Sequence, residues 1–96
     1  MVAVRRVVID VLKPHEPPLA EFTERVAQLD TAEAVTTSLI ELDREVQNVK
    51  ATVEGEDVDI DALEAAVENL GGTVHSVDQV ACGEYVAEDR PTLQDG

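Results

Sequence analysis

An apolar stripe that occurs twice at the same spacing constrains this chain more than any other feature. Leu19, Phe22, Val26 and Leu29 step by three, four and three residues, and Ile60, Leu63, Val67 and Leu70 repeat those steps 41 positions later. At 3.6 residues per turn each set falls on one side of a helix. Glu21, Glu24, Arg25 and Gln28 take the other side of the first. Each stripe lies between β-branched runs too short for a capped globular helix, which read as strands. The same offset sets Val8 on Val49 and Lys13 on Glu54. The chain therefore divides into two βαβ-like halves. Right-handed crossovers on two such halves give a four-stranded antiparallel sheet with both helices on one face.

The expected fold is thus α+β, a ferredoxin-like βαββαβ sandwich whose second sheet face is left bare. The first strand is AVRRVVIDVL (3–12), stopped by the three prolines of KPHEPP (13–18). Pro18 suits the opening of a helix. Residues 35–46 are expected as the second strand, with a turn at Gln47-Asn48 and a third strand at 49–54. The alternation of Val49, Ala51 and Val53 with Lys50, Thr52 and Glu54 marks that third strand as half-buried. The second helix spans about 59–70. Asp61 and Glu64 have capping-box separation there, and Gly71-Gly72 offers a left-handed end. Residues 73–82 form the last strand. The domain is expected to occupy 1–83, with 84–96 an acidic flexible tail whose start Tyr85 could anchor.

Ninety-six residues allow one domain with one modest core. That core must be aliphatic, because Phe22 and Tyr85 are the only aromatics. A core of this size makes self-association an attractive further source of burial. The formal charge is −14, from 21 acidic and 7 basic residues. Such a surface repels itself in dilute salt and is screened in molar salt, so the composition points to a halophilic, salt-adapted cytoplasm. Nucleic acid is excluded as a partner, since phosphate binding needs a basic patch and stacking needs aromatics. Cys82 is the lone cysteine, which excludes an intrachain disulfide and a CxxC pair and reads as a buried structural thiol. No apolar run reaches the roughly 18 residues of a membrane span, and Asp10 and Pro14 break the signal-peptide pattern after Arg5 and Arg6. The expected location is cytoplasmic.

Period-two alternation divides the strand residues between the faces. Val7, Ile9 and Val11 make the better core set, which sends Arg6, Val8 and Asp10 to the bare face with Lys50, Thr52 and Glu54. On the second strand Ile40 and Leu42 suit the core, sending Glu41, Asp43 and Glu45 outward. Carboxylates at strand spacing can hold a divalent cation through oxygen. Asp10, Glu41 and Asp43 are therefore the candidate ligands for Ca²⁺ or Mg²⁺, with no cofactor required. Asp57, Asp59, Asp61 and Glu68 match positions 1, 3, 5 and 12 of an EF-hand loop, but Ala62 stands where the loop needs glycine. They read instead as acids at a helix N-terminus. His15, between Lys13 and Glu16 in the proline-rich loop, is a candidate base, ligand or pH sensor. His75 and Asp78 are further candidates on a last strand whose facing is ambiguous. No Ser/His/Asp spacing, HExxH or glycine-rich phosphate loop is present.

The segments RRVVIDVLKPHEP (5–17), IELDREVQNVKATVEG (40–55) and LEAAVENLGGTVHSVDQVACG (63–83) resemble the archaeal domain-of-unknown-function family two-eleven. LKPHEP and GG-x-x-HS-x-D are the most specific stretches, and the resemblance covers about residues 3–83. It implies a ferredoxin-like fold, a homo-oligomer in the form of a closed ring, and a role for divalent cations. It implies no reaction.

Two functions compete. The first is a non-enzymatic homo-oligomeric module, a ring or scaffold regulated by a divalent cation or small ligand. The alternative is an enzyme whose site at a subunit boundary combines a histidine with carboxylates. A pocket joining a histidine to Asp10 or Asp78 would favour the enzyme.

Overall fold

The β-branched runs form a four-stranded sheet, and the two apolar stripes form the helices that cover one side of it. The structure is a computed structural model and describes residues 2–84. Its elements are β1 (Val4–Pro14), α1 (Leu19–Val26), β2 (Ala34–Leu42), β3 (Val46–Glu54), α2 (Ile60–Asn69) and β4 (Thr73–Cys82). The strand order is β2-β3-β1-β4, and every neighbouring pair is antiparallel. This is the ferredoxin-like α+β arrangement. The acidic tail and Tyr85 lie outside the described residues.

Val7, Ile9 and Val11 of β1 face the helices together with Val49, Ala51 and Val53 of β3. Phe22 and Val26 of α1 and Leu63 and Val67 of α2 close over them in one cluster. The outer stripe positions Leu19, Leu29, Ile60 and Leu70 are half-buried around it. Leu29 packs there although α1 ends at Val26, because it sits in the turn that follows.

Helix ends differ in detail from the sequence reading. The cap of α2 is Asp59 rather than Asp61, its carboxylate accepting from the Ala62 N–H at 3.1 Å. At the other end Gly71 has φ +88. The Gly71 N–H donates to the Glu68 carbonyl and the Gly72 N–H to the Val67 carbonyl, a Schellman motif. Asp57 accepts from the Val4 N–H at 3.1 Å. The acidic run thus serves the backbone, as expected of acids before a helix.

The second hairpin is placed differently from expectation. β2 ends at Leu42, and the turn is Asp43–Glu45 rather than Gln47-Asn48. The Asp43 N–H donates to the Val46 carbonyl at 2.9 Å, and the Asp43 carboxylate accepts from the Arg44 N–H at 2.6 Å. An aspartate that ties its own turn outcompetes Gln-Asn at this position. β3 therefore begins three residues earlier than read.

Ile40 and Leu42 do not enter the core. A bulge between Leu39 and Glu41 makes Ile40 the extra residue of β2. Ile40 is 58% and Leu42 62% exposed. Leu39, opposite the buried Val49, takes the helix side at the edge of the sheet.

Candidate functional site

The bare face of the sheet carries Arg6, Val8 and Asp10 of β1 beside Asn48, Lys50 and Thr52 of β3, as the alternation predicts for all but Asn48. Val8 is only 7% exposed although no layer covers it. It forms the floor of a depression of about 470 Å³ lined by Arg6, Lys50, Thr52, Asp78 and Gln79, whose side chains stand around it. Arg6 is held to the Glu54 carboxylate by its Nε at 2.9 Å and by a second nitrogen at 2.8 Å.

A second depression, of about 210 Å³, lies at the other end of this face. Asp10, Leu12, Glu41, Asp43, Val46, Asn48 and His75 line it. All three carboxylates named as cation ligands are therefore brought around one space, and His75 joins them from β4. The Asn48 amide donates to the Asp10 carboxylate, which occupies one of its oxygens. Among the described residues no group of three or more His, Cys, Asp or Glu side chains stands close enough to hold a metal ion. The depression gathers negative charge without a preformed metal cage.

The loop candidates separate. His15 is exposed, and its Nε2 donates to the Asp43 carbonyl at 2.9 Å, tying the proline-rich loop to the β2–β3 turn. Glu16 is exposed in the same loop. Lys13 is not in the loop: β1 continues through Pro14, and strand alternation turns Lys13 to the helix side, away from Asp10. It is fully buried, with Nζ donating to the Pro14 carbonyl at 2.8 Å and to Gln47 Oε1 at 3.0 Å, 5.9 Å from the centre of the Phe22 ring. Cys82, expected to be buried, is exposed at the end of β4.

Burial pushes the Lys13 pKa below the usual 10.5, and Glu16 partly opposes that shift. Between the lowered folded value and 10.5 the unfolded chain binds more protons at this site, so this lysine's contribution to stability rises with pH. We expect the stability of wild type relative to Lys13→Met to increase from pH 8 towards 10.5, measured by urea unfolding. A decrease would mean that the charged form is favoured by folding.

Sequence reasoning missed Asn48, Leu12 and Val46, because a turn drawn at 47–48 removed Asn48 from the strand. The signal was available: Asn48 continues the parity of Lys50 and Thr52. Ser76 donates to the Asp78 carboxylate at 2.7 Å and holds it at the first depression rather than beside His75.

Fold and face together define a one-sided ferredoxin-like sandwich whose bare sheet carries a charged depression at each end. The chain belongs to the domain-of-unknown-function family DUF211, described as "Uncharacterized ArCR", whose model matches residues 5–96. That match extends beyond the resemblance read at 3–83 and takes in the acidic tail. The chain is 40% identical over 95 residues to the uncharacterized protein MJ0319 of Methanocaldococcus jannaschii, an alignment spanning 99% of this chain and 98% of that protein. No biochemical function is assigned to either the family or this relative. Among the described residues no helix is long and apolar enough to cross a membrane.

Proposed function

We propose that the protein is a homo-oligomeric, non-enzymatic module, a ring or scaffold whose state responds to a divalent cation or small cationic ligand. The observation that carries the assembly is the placement of its exposed large apolar residues. Among the described residues six such side chains are exposed: Leu39, Ile40, Leu42, Val77 and Val80 lie on the two edge strands, and Val2 precedes β1. Apolar side chains concentrated on unpaired edges favour association with another chain. The negative depression lined by Asp10, Glu41, Asp43 and His75 supports the cationic response. Its carboxylates repel one another, and a cation placed between them relieves that repulsion.

Light scattering in molar KCl, with added CaCl₂ or with chelator, tests both parts. Wild type is expected to be a multimer. The Glu41→Gln, Asp43→Asn double variant is expected to lose any dependence on calcium while keeping its fold. A monomer under every condition would overturn the assembly. A multimer indifferent to calcium and chelator would leave the module and remove the ligand.

The enzyme reading draws on one observation, that a single depression joins His75 to Asp10. No hydrogen bond links the two among the described residues, and Asp10 is engaged by Asn48. That geometry supports ligand contact better than proton transfer.

A further inference from the structure

The sheet ends in two edges that differ from the rest of the surface. β2 and β4 contain nine and ten residues, with no lysine, arginine or proline, and Glu41 and Asp78 are their only acids. The chain as a whole is 29% charged. Edge strands in monomers are blunted by charge, especially lysine, or by proline. Here the charge is withdrawn from both edges at once, and large apolar residues stand in its place.

Strand direction decides which edges match. Across the order β2-β3-β1-β4 the strands alternate up and down, so β2 and β4 run in opposite directions. A second copy in the same orientation can therefore place its β2 antiparallel to the first copy's β4 and continue the sheet without a break. We propose that β4 of one copy pairs with β2 of the next, head to tail, which rests on the reading that the chain self-associates.

The side chains agree with that pairing along Ser38–Leu42 and Val74–Asp78, in the register that sets Ser38 opposite Asp78 and Leu42 opposite Val74. Leu39 then meets Val77 and Leu42 meets Val74. All four lie on the helix side, since their own-sheet partners are Val49, Ile9, Gln47 and Val11. Glu41 falls opposite His75, a carboxylate against an imidazole donor, and Ser38 opposite Asp78. Each of the two acids meets a hydrogen-bond donor, and neither meets the other. Pairing either edge with itself about a two-fold axis does worse. At full overlap β2 would set Glu41 against Val35 and Leu39 against Thr37, and β4 would set Val77 against Asp78. Complementarity of charge and apolarity therefore selects β4 on β2. Such a contact closes into a ring where the rotation per copy allows, and otherwise runs on as a filament.

A disulfide across the two edges makes the pairing directly testable. Directly opposed residues of antiparallel strands are about 4.5–5.5 Å apart at Cα, within the range a disulfide spans. A chain with one cysteine can be cross-linked only into dimers, whereas Leu39→Cys with Val77→Cys, in a Cys82→Ala background, provides one thiol at each edge on the same face. Mild oxidation of that variant in high salt is expected to give a ladder beyond the dimer on non-reducing gels, lost when either introduced cysteine is reverted. Leu39→Glu and Val77→Glu, both at exposed positions, are each expected to reduce the assembly to monomer by light scattering with unchanged circular dichroism. A multimer that gives no ladder and survives both glutamates would overturn the edge pairing while leaving self-association intact. A monomeric wild type would overturn both.

Discussion

Phe22→Ala is expected to cost about 3–5 kcal/mol of stability, the usual range for emptying a buried aromatic site. Phe22 is fully buried and is the only aromatic among the described residues. It lies where α1 closes over the valines of β1 and β3, and those β-branched neighbours are stiff at χ1. They cannot fold inward to fill the space, so a cavity remains. Its ring also faces the Lys13 ammonium, which would be left nearer to empty space. Single domains are stable by only about 5–15 kcal/mol, so the loss is a large share of the total. Phe22→Leu retains most of the volume and is expected to cost about 1–1.5 kcal/mol. Urea unfolding at fixed protein concentration and high salt measures both, since association contributes to apparent stability. A loss below about 1 kcal/mol for alanine would mean that α1 does not seal the core as the structure has it.

Phe22 also illustrates why so much of the fold was legible. It belongs to a stripe whose spacing serves only a helix, and that stripe recurs with the strands around it at a constant offset. Periodicity of this kind carries element type, sheet face and topology together. Element ends carry less information, because they are settled by single hydrogen bonds. The β2–β3 turn depends on the Asp43 carboxylate and backbone amide, and the α2 cap on Asp59 rather than its neighbour Asp61. A bulge is harder still to read. The extra residue at Ile40 shifts the parity of β2, so that Leu39 rather than Ile40 takes the helix side. Leu42 keeps the expected side but lies exposed at the end of an edge strand.

The candidate site was legible to a similar depth. Asp10, Glu41 and Asp43 do converge on one depression, because strand parity placed Asp10 correctly. Glu41 arrives on the expected face although the bulge intervenes. Asp43 arrives from the turn rather than from a strand. Lys13 went the other way: the proline that follows it suggested a loop, but β1 extends through Pro14 and its alternation buries the lysine. Which carboxylates share a face follows from a period of two. Whether they come within coordination distance depends on rotamers and bulges, which no spacing encodes.

Molar salt is expected to raise the melting temperature by about 10 °C or more over dilute buffer, because the charge is large and mostly unpaired. The formal charge is −14. Among the described residues only Arg6–Glu54 and Arg25–Glu21 form ion pairs, at 2.8 and 3.5 Å. The remaining carboxylates repel one another more strongly in the folded state than in the expanded unfolded chain, so repulsion opposes folding. At 0.1 M ionic strength the screening length is about 10 Å, comparable with spacings across a small domain, and at 1 M it is about 3 Å. By Coulomb's law for this excess charge, the relief is on the order of several kcal/mol. A domain of this size shifts by about 4–8 °C per kcal/mol. Pairing of β2 with β4 between copies would add to the effect, since it brings like-charged subunits together. KCl and NaCl should act alike if screening is the cause, and sulfate is avoided because it strengthens apolar burial by a separate route. Millimolar CaCl₂ adds almost nothing to screening, so any rise it produces reports occupation of the acidic depression instead. The measurement is calorimetry or circular dichroism across 0.05–2 M KCl at constant protein concentration. A flat or falling melting temperature would mean that the excess carboxylates are already offset within the fold.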